Sequence, residues 1–567
     1  MSKPIVTVGV SRVHNSAVCL MIDGEIVFHI ENERLSNIKY DAYPFHALSR
    51  IPDYVDHIDN ICIAGVGPTV PAESFTEHDI YTTFITRLNR NFLNQSIKVY
   101  DLWSDHHKLH AACAFYNSGF DDALCIIKDG MGSEYPLSGG MFKPNSYGRE
   151  SFSAFTSSYP ATFDLVENHI VFPFRGEVQH NNTYVSDHLN EAMAFQITSL
   201  HFGFHVLDAG KVMGMSAYGF EDINIPDIID SHGKINRDLF VIDDHDLRQT
   251  RLNVEKFPYL DTNDFQIQAN FAYKLQKSCE QIMINDVLRL LKKTNKKKLC
   301  LSGGFFLNCV ANNELLKHLP SDVEIYIEPI SSDAGTAIGA AKFIYHETTG
   351  DCTVRKQQNI YYGLKNNYIK DQVIVPADLD YKNVSYFDVA KLISEKKIVA
   401  IFQGASESGP RALGNRSILY DPRDPNGKDT VNNIKKREWF RPFAGTILND
   451  RARDWFDLKI LDHSPFMMYA VDVLQNKKQL IPAILHVDDT CRIQTIDLET
   501  NFHYYKLIEE FFHITGVPIL FNTSFNLAGD CIVETLDDAI DTLRRSEIDY
   551  LYLPEHNLLI ENNVSRT

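Results

Sequence analysis

The chain opens on two apolar runs, "IVTVGV" and "SAVCLMIDGEIVFHI", and the second is broken by Asp23-Gly24, a dipeptide that favours a tight hairpin turn. Antiparallel strands are therefore expected at the start. The stretch Ser104 to Phe120, "SDHHKLHAACAFYNSGF", reads as a helix, and "DALCIIKDGMG" reads as the apolar strand after it. Near Leu299 the texture becomes plainly α/β: "KKLCLSGGFFLNCVANNELLKHL" is a strand, a Gly-Gly turn and a helical period, followed by the strand "VEIYIEP" and the helix "AGTAIGAAKFIYHE". Between about Thr348 and Asp378 the pattern is polar and aperiodic, as a connection between domains should be. From Tyr381 a new α/β pattern begins, with the helix "YFDVAKLISEKK", the strand "IVAIFQG", a basic loop, and the late strands "VPILFNTSFN" and "DYLYLP". The expected fold class is α/β in two unequal domains, 1–355 and 375–567, without a repeat of fixed period.

At 567 residues the chain exceeds one ordinary core, which agrees with that division. A net charge of −19 argues against a whole-surface attraction to phosphate polymers or anionic membranes, so nucleic-acid binding would need a local basic patch. The start has neither a secretory signal pattern nor a membrane-spanning run, and a cytoplasmic location is expected. Ten scattered cysteines with no CxxC pair read as reduced core residues, not a disulfide or zinc framework.

Candidate chemistry concentrates in a few places. His106 and His110 are four residues apart, so on a helix they share a face and can bind one ion through ring nitrogens. His106 is not followed by Glu, so the zinc-protease pattern with its general base is absent. Asp129 closes the next strand beside glycines, which suits a ligand or a turn former. Asp333, in "EPISSDAGTAIGAAKF", precedes a Gly- and Ala-rich helix whose start leaves backbone N–H groups for a phosphate. Two imidazoles and two carboxylates suit Fe(II), Mn(II) or Zn(II) with open positions. The stretches "LSGGFFLNCVANN" (Gly303, Gly304, Asn308) and "DAGKVMGMSAYG" (Lys211) match neither the Walker A loop nor the Rossmann fingerprint. Singly each is a strand-to-helix turn; together they look like the phosphate cradle of a two-lobed sugar-kinase or actin-type fold. Between Arg411 and Arg441 stand eight basic and four acidic residues, a local excess of +4 in an acidic chain. Interleaving with Gly, Pro, Trp439 and Phe440 favours a shaped anion pocket over a solvated face, with a nucleic-acid patch as the competing reading.

The ordered set "HNSA", "ENERLS", "HHKLHAACAFY", "KDGMG", "GKVMGMSAYG", "SGGFFLNCVAN", "DAGTAIGAA", "GPRALGNRSIL", "KKREWFRPFA", "HVDDTCRIQT" and "NTSFN" closely resembles the NodU/CmcH-type O-carbamoyltransferases through nearly the whole chain. The resemblance implies a first domain similar to the tRNA threonylcarbamoyltransferase TsaD, with an actin-like (ASKHA, duplicated RNase H-like) fold, and a smaller YrdC-like α/β domain. It implies that the second domain joins carbamoyl phosphate to ATP, giving carbamoyl-adenylate and pyrophosphate. The first domain then passes the carbamoyl group to an acceptor hydroxyl and releases AMP.

By that resemblance His106, His110, Asp129 and Asp333 match the metal ligands, and Lys435, Arg441, Arg492 and Ser524 match the adenylation positions. Gly303, Gly304, Asn308 and Lys211 in the first domain, and Arg411, Arg416 and Asn522 in the second, are expected beside the nucleotides. His14 is the candidate base for the acceptor hydroxyl, since an imidazole titrates near neutral pH. The implied cofactors are Fe(II) or another divalent metal (Mn, Zn), with Mg2+ accompanying ATP. Three departures stand out: Asn15 follows His14 where the family has Asp, "ENERLSN" lacks one Arg expected on the acceptor side, and Asp489 stands where Gly is common. The expected acceptor is a small-molecule hydroxyl (a sugar, a natural product or a modified nucleoside), and the expected assembly a homodimer. The alternatives are a threonylcarbamoyl-type transferase acting on tRNA, which the acidic charge disfavours, and a nucleotide-binding regulator without activity.

Overall fold

A computed structural model gives the architecture and describes residues 3–66, 80–88, 92, 96–137, 146–173, 176–242, 249–365 and 373–563. The chain divides into two units, one of Met1–Asn32 with Tyr40–Gln357 and one of Glu33–Lys39 with Gln358–Thr567. The division thus falls at Gln357/Gln358, and seven residues near the N-terminus go with the second unit, which no hydropathy pattern announced. Part of the stretch read as a connection is already packed there: the Leu364 N–H donates to Glu534 at 3.1 Å.

The first unit repeats one strand order twice. Strands β1 (Val6–Ser11), β2 (Ala17–Ile22) and β3 (Glu25–Glu31) are antiparallel neighbours, and β4 (Asn60–Ala64) and β5 (Lys98–Asp101) run parallel to β1 on its other side. The expected hairpin is present between β2 and β3, with Asp23 at φ 48° and Gly24 at φ 84°; both central residues of such a turn need the left-handed region. The second sheet is built alike. β6 (Asp122–Lys128) pairs antiparallel with Ser146–Ser158, which pairs antiparallel with Thr162–Val171, while Lys298–Ser302 and Glu324–Ile327 lie parallel on the other side of β6. This twofold three-antiparallel, two-parallel order is the duplicated actin-like fold.

A helix follows the fifth strand of each repeat, His106–Ser118 in one and Gly335–Thr349 in the other, and the two pack against each other. A Cβ on Gly339 would stand 2.0 Å from the Leu109 carbonyl oxygen, so the small residues of "GTAIGAA" let the backbones approach. Leu109, Ala112 and Phe115 on the first helix and Ala340, Phe343 and Ile344 on the second are buried in one shared apolar cluster. Burial of that kind stabilises by roughly 1.5–3 kcal/mol per large side chain, and here it also fixes where the histidines at the helix start point.

The second unit is α/β around a ten-stranded mixed sheet. Its central strands, Val399–Phe402, Arg416–Tyr420, Ile519–Ser524, Ala444–Leu448 and Thr490–Ile496, are adjacent in that order and almost wholly buried. The Tyr386–Ser394 helix, started by a Ser385/Asp388 capping box, packs on the Phe502–Thr515 helix. All ten cysteines are free, and all except Cys352 are buried. Among the described residues no helix is long and apolar enough to cross a membrane.

Candidate functional site

Two sites of opposite electrostatic character emerge, one in each unit. In the first unit the start of the His106–Ser118 helix meets the ends of two strands. Helical period puts His106 and His110 on one face and turns His107 about 100° away. Asp129 immediately follows β6, and Asp333 stands just before the Gly335–Thr349 helix. His106, His110, Asp129 and Asp333 are all buried, and each offers one ligand atom within 4.8 Å of the others. The His106 Nε2 lies 3.6 Å from both Asp129 Oδ2 and Asp333 Oδ1, and His110 Nε2 lies 3.7 Å from Asp333 Oδ1. These separations are too long for hydrogen bonds. They fit atoms that share one ion, since tetrahedral ligands about 2.1 Å from a metal stand roughly 3.4 Å apart.

The surrounding groups orient each ligand. His106 Nδ1–H donates to the Gly65 carbonyl at 3.2 Å, which turns Nε2 inward, and His110 Nδ1 faces the Ser302 hydroxyl at 3.5 Å. Both Nε2 atoms are buried without a hydrogen-bond partner. The Gly304 N–H holds Asp129 Oδ1 at 2.9 Å. The preceding Gly303 has φ 97°, and a Cβ there would meet the Lys128 carbonyl oxygen at 2.3 Å. The Gly-Gly turn therefore serves the Asp129 carboxylate directly. Ser11 at the end of β1 donates to the Asp333 carbonyl at 3.0 Å, tying the first repeat to the cluster.

Charge balance points the same way. Burial disfavours a cationic His106, yet Asp129 and Asp333 outweigh it and push the ring up to about 10. Burial and the neighbouring Asp333 oppose ionisation of Asp129, but the facing imidazoles hold it at about 2. Burial likewise opposes the Asp333 carboxylate, and His14, His106 and His110 bring it well below the usual range. Two buried carboxylates thus demand positive charge between them, which a divalent ion would supply in place of protons.

His14 lies at the rim, half exposed, with Nε2 3.5 Å from Asp333 Oδ2. Its Nδ1–H donates to the Asn15 side-chain oxygen at 2.7 Å, so an amide takes the orienting place that a carboxylate holds in the resembled family. The third histidine, His107, bonds the Ser153 hydroxyl at 2.8 Å and lies 3.6 Å from Glu150. Sequence spacing had no way to mark Glu150, whose carboxyl burial pushes up to about 7.

Two residues expected beside the nucleotide in the first unit have other partners. Asn308 accepts from the Ala311 N–H at 3.0 Å, capping the Cys309–Leu316 helix, and exchanges hydrogen bonds with Gln276. Lys211 pairs with Asp208 at 3.0 Å.

The second unit's site is cationic. Lys435 ends the Gly427–Lys435 helix and is buried, and its ammonium donates to Ser524 and to the carbonyl and side-chain oxygens of Asn526, both at 2.9 Å. Arg437 bonds Asn432 at 2.6 Å and the Pro442 carbonyl at 3.0 Å and stacks on Phe443. All of these partners are neutral. Burial, and then the charges of Arg437, Arg441 and Lys39, press the Lys435 ammonium well below its usual value. Arg437 is pressed down by burial and by Arg441 and Arg492. Such a cluster is relieved by an anion. Asn522, two residues before Ser524, donates to the Ala412 carbonyl at 3.2 Å and to Thr446 at 3.0 Å, holding the Arg411 loop against the sheet. Glu407, missed in the sequence, anchors that loop by accepting the Leu413 and Asn415 N–H groups at 2.6 and 2.7 Å.

Arg416, expected beside a nucleotide, has protein partners on several sides. It is fully buried on a central strand, stacks on Phe402, and donates to the carbonyls of Gln403, Gly404, Asn415 and Glu534. These four carbonyls and the ring hold the guanidinium against the loop.

Comparison with known proteins shows the family. The family description "Carbamoyltransferase N-terminus" matches residues 62–342 and "Carbamoyltransferase C-terminus" matches residues 390–560. The nodulation protein NolNO of Sinorhizobium fredii is 30% identical over 95% of this chain and 78% of its own length. The nodulation protein NolO of Bradyrhizobium diazoefficiens is 31% identical over 79% of this chain and 77% of its own. Among solved structures, full-length HypF in its phosphate- and nucleotide-bound form covers 62% of this chain and 47% of its own, at 14% identity and a TM-score of 0.35. With both halves matched in order, the chain belongs to the carbamoyltransferase family and is a carbamoyltransferase.

Proposed function

We propose that this carbamoyltransferase works in two stages, one in each unit, and that its acceptor is a hydroxyl of a small molecule. In the second unit carbamoyl phosphate loses its phosphate to water, and an oxygen of the resulting carbamate attacks the α-phosphorus of ATP and expels pyrophosphate. The product is carbamoyl-adenylate. In the first unit the acceptor oxygen attacks the carbamoyl carbon, the bond to the AMP phosphate oxygen breaks, and AMP leaves. The observation that carries this reading is the presence, in one chain, of a buried cluster of two carboxylates and two imidazoles and of a second buried cluster dominated by cations.

Carbamate and ATP repel one another, and cations that offset both charges lower the cost of bringing them together. Lys435 is positioned by Ser524 and Asn526 for that task, with Arg437, Arg441 and Arg492 around it. In the first unit His106, His110, Asp129 and Asp333 would hold Fe(II), Mn(II) or Zn(II). Such an ion, when bound, supplies Lewis acidity to a phosphate oxygen of the leaving AMP. The residues around it orient and exclude: Gly65, Gly304 and Ser302 fix the ligands, and His14, kept in one tautomer by Asn15, receives the acceptor's proton at Nε2.

The test is isotope exchange. Labelled pyrophosphate should enter ATP only when carbamoyl phosphate is present. Lys435→Ala should abolish the exchange, whereas His110→Ala should keep it and lose carbamoyl transfer to an acceptor found by a mass-gain screen of hydroxyl compounds. Equal loss of both activities in both variants would sink the two-site scheme.

A further inference from the structure

The seven residues Glu33–Lys39 leave the first unit after β3 and are counted with the second. Both ends of this excursion are pinned in the first unit. The Asn32 N–H donates to the Ser16 carbonyl at 2.8 Å, the Asn32 amide donates to Asp41 at 2.7 Å, and the Ser16 hydroxyl donates to the Asp41 carbonyl at 2.7 Å. Its tip carries Arg34, which is 4% exposed. Nη2 of Arg34 donates to the Gly409 carbonyl at 2.9 Å, whereas Nε and Nη1 are buried with no hydrogen-bond partner.

A buried guanidinium with two idle nitrogens is costly unless something accepts from them. Its position says what that is. Gly409 lies in the loop that carries Arg411, the same loop is held to Asn522 through the Ala412 carbonyl, and Asn522 lies two residues from Ser524. Lys39, at the far end of the excursion, adds its charge to the field on Lys435. Nε and Nη1 lie on different edges of the planar guanidinium, so each can donate separately to an oxygen of an anion, an arrangement that the single ammonium of a lysine cannot reproduce.

We propose that Arg34 is a phosphate-binding residue of the second unit's cationic site, delivered from the N-terminal part of the chain, and that its two free nitrogens take oxygens of a phosphate ester or anhydride. The identity of that anion as carbamoyl phosphate or ATP rests on the two-stage reading above; the anion site itself does not. The test uses the full chain with pyrophosphate as probe, titrated by calorimetry into wild type, Arg34→Gln and Arg34→Lys. Arg34→Gln retains an N–H donor for Gly409 but no charge, and the fold of each variant is checked by its melting temperature. Pyrophosphate should bind about tenfold or more weakly to Arg34→Gln, with partial recovery in Arg34→Lys. In the exchange assay, a raised KM for carbamoyl phosphate alone assigns the guanidinium to that substrate, and a raised KM for ATP alone assigns it to the triphosphate. Wild-type pyrophosphate affinity in Arg34→Gln overturns the proposal. Weakened pyrophosphate binding in a protein whose wild type shows no carbamoyl-phosphate-dependent exchange keeps the anion site and removes the two-stage reading.

Discussion

The two units hold mirror-image electrostatic problems. In the first, buried Asp129 and Asp333 outweigh the effect of burial and drive the His106 imidazole up to about 10. In the second, Lys435 and Arg437 are pressed down by burial and then by neighbouring cations, which Glu438 offsets only in part at Arg437. Buried charges are costly unless they are paired, hydrogen-bonded by polar groups or neutralised by a change of protonation. On the two-stage reading proposed above, the first cluster would answer to a metal cation and the second to phosphate anions.

The comparison can be broken most sharply at Asp333, which faces both histidines. Asp333→Ala is expected to reduce bound divalent metal from about one ion per chain to none, and carbamoyl transfer more than a thousandfold, while pyrophosphate exchange persists; metal analysis and the two assays read this directly. Lys435→Ala is the reciprocal change. Exchange should fall by about a hundred- to a thousandfold, the range for losing one preorganised charge donor, with metal content untouched. Loss of metal in Lys435→Ala would erase the distinction between the sites.

A smaller effect separates packing from chemistry. Gly339→Ala places a methyl against the Leu109 carbonyl, so chemical denaturation should show a loss of about 1–3 kcal/mol. Transfer should fall with it, because the displaced helix carries His106 and His110, and exchange in the folded protein should not.

The smallest expected effect is a pH dependence at Glu150. Burial holds its carboxyl at about 7, against 4.5 for a free one. The folded state therefore keeps a proton that the unfolded chain has released, so stability is greatest below the unfolded value and declines as pH rises through about 7. Glu150→Gln should flatten that decline, by on the order of 2 kcal/mol between pH 5 and pH 8, in melts at the two pH values. A slope equal to that of the wild type would remove Glu150 from the account.

What the sequence determined by itself was whatever depends on neighbours along the chain. The i, i+4 spacing put His106 and His110 on one face, Asp23-Gly24 set the hairpin, alternating apolar runs marked most strands and helices, and the run between Arg411 and Arg441 marked a local excess of positive charge. Ordered motifs reached further and marked Asp129 and Asp333 by resemblance, though no local rule shows that two aspartates so far apart along the chain meet.

Tertiary structure decided the rest, because burial and partner choice are set by packing between distant segments. Arg416 and Arg441 share one basic run, yet the first lies inside a sheet among carbonyls and the second remains at the pocket. Glu407 and Glu150 are unremarkable letters until a loop and a helix close over them. Arg34 belongs to a motif at the start of the chain, and only the fold carries it to Gly409, 375 residues further along, and leaves two of its nitrogens buried without a hydrogen-bond partner.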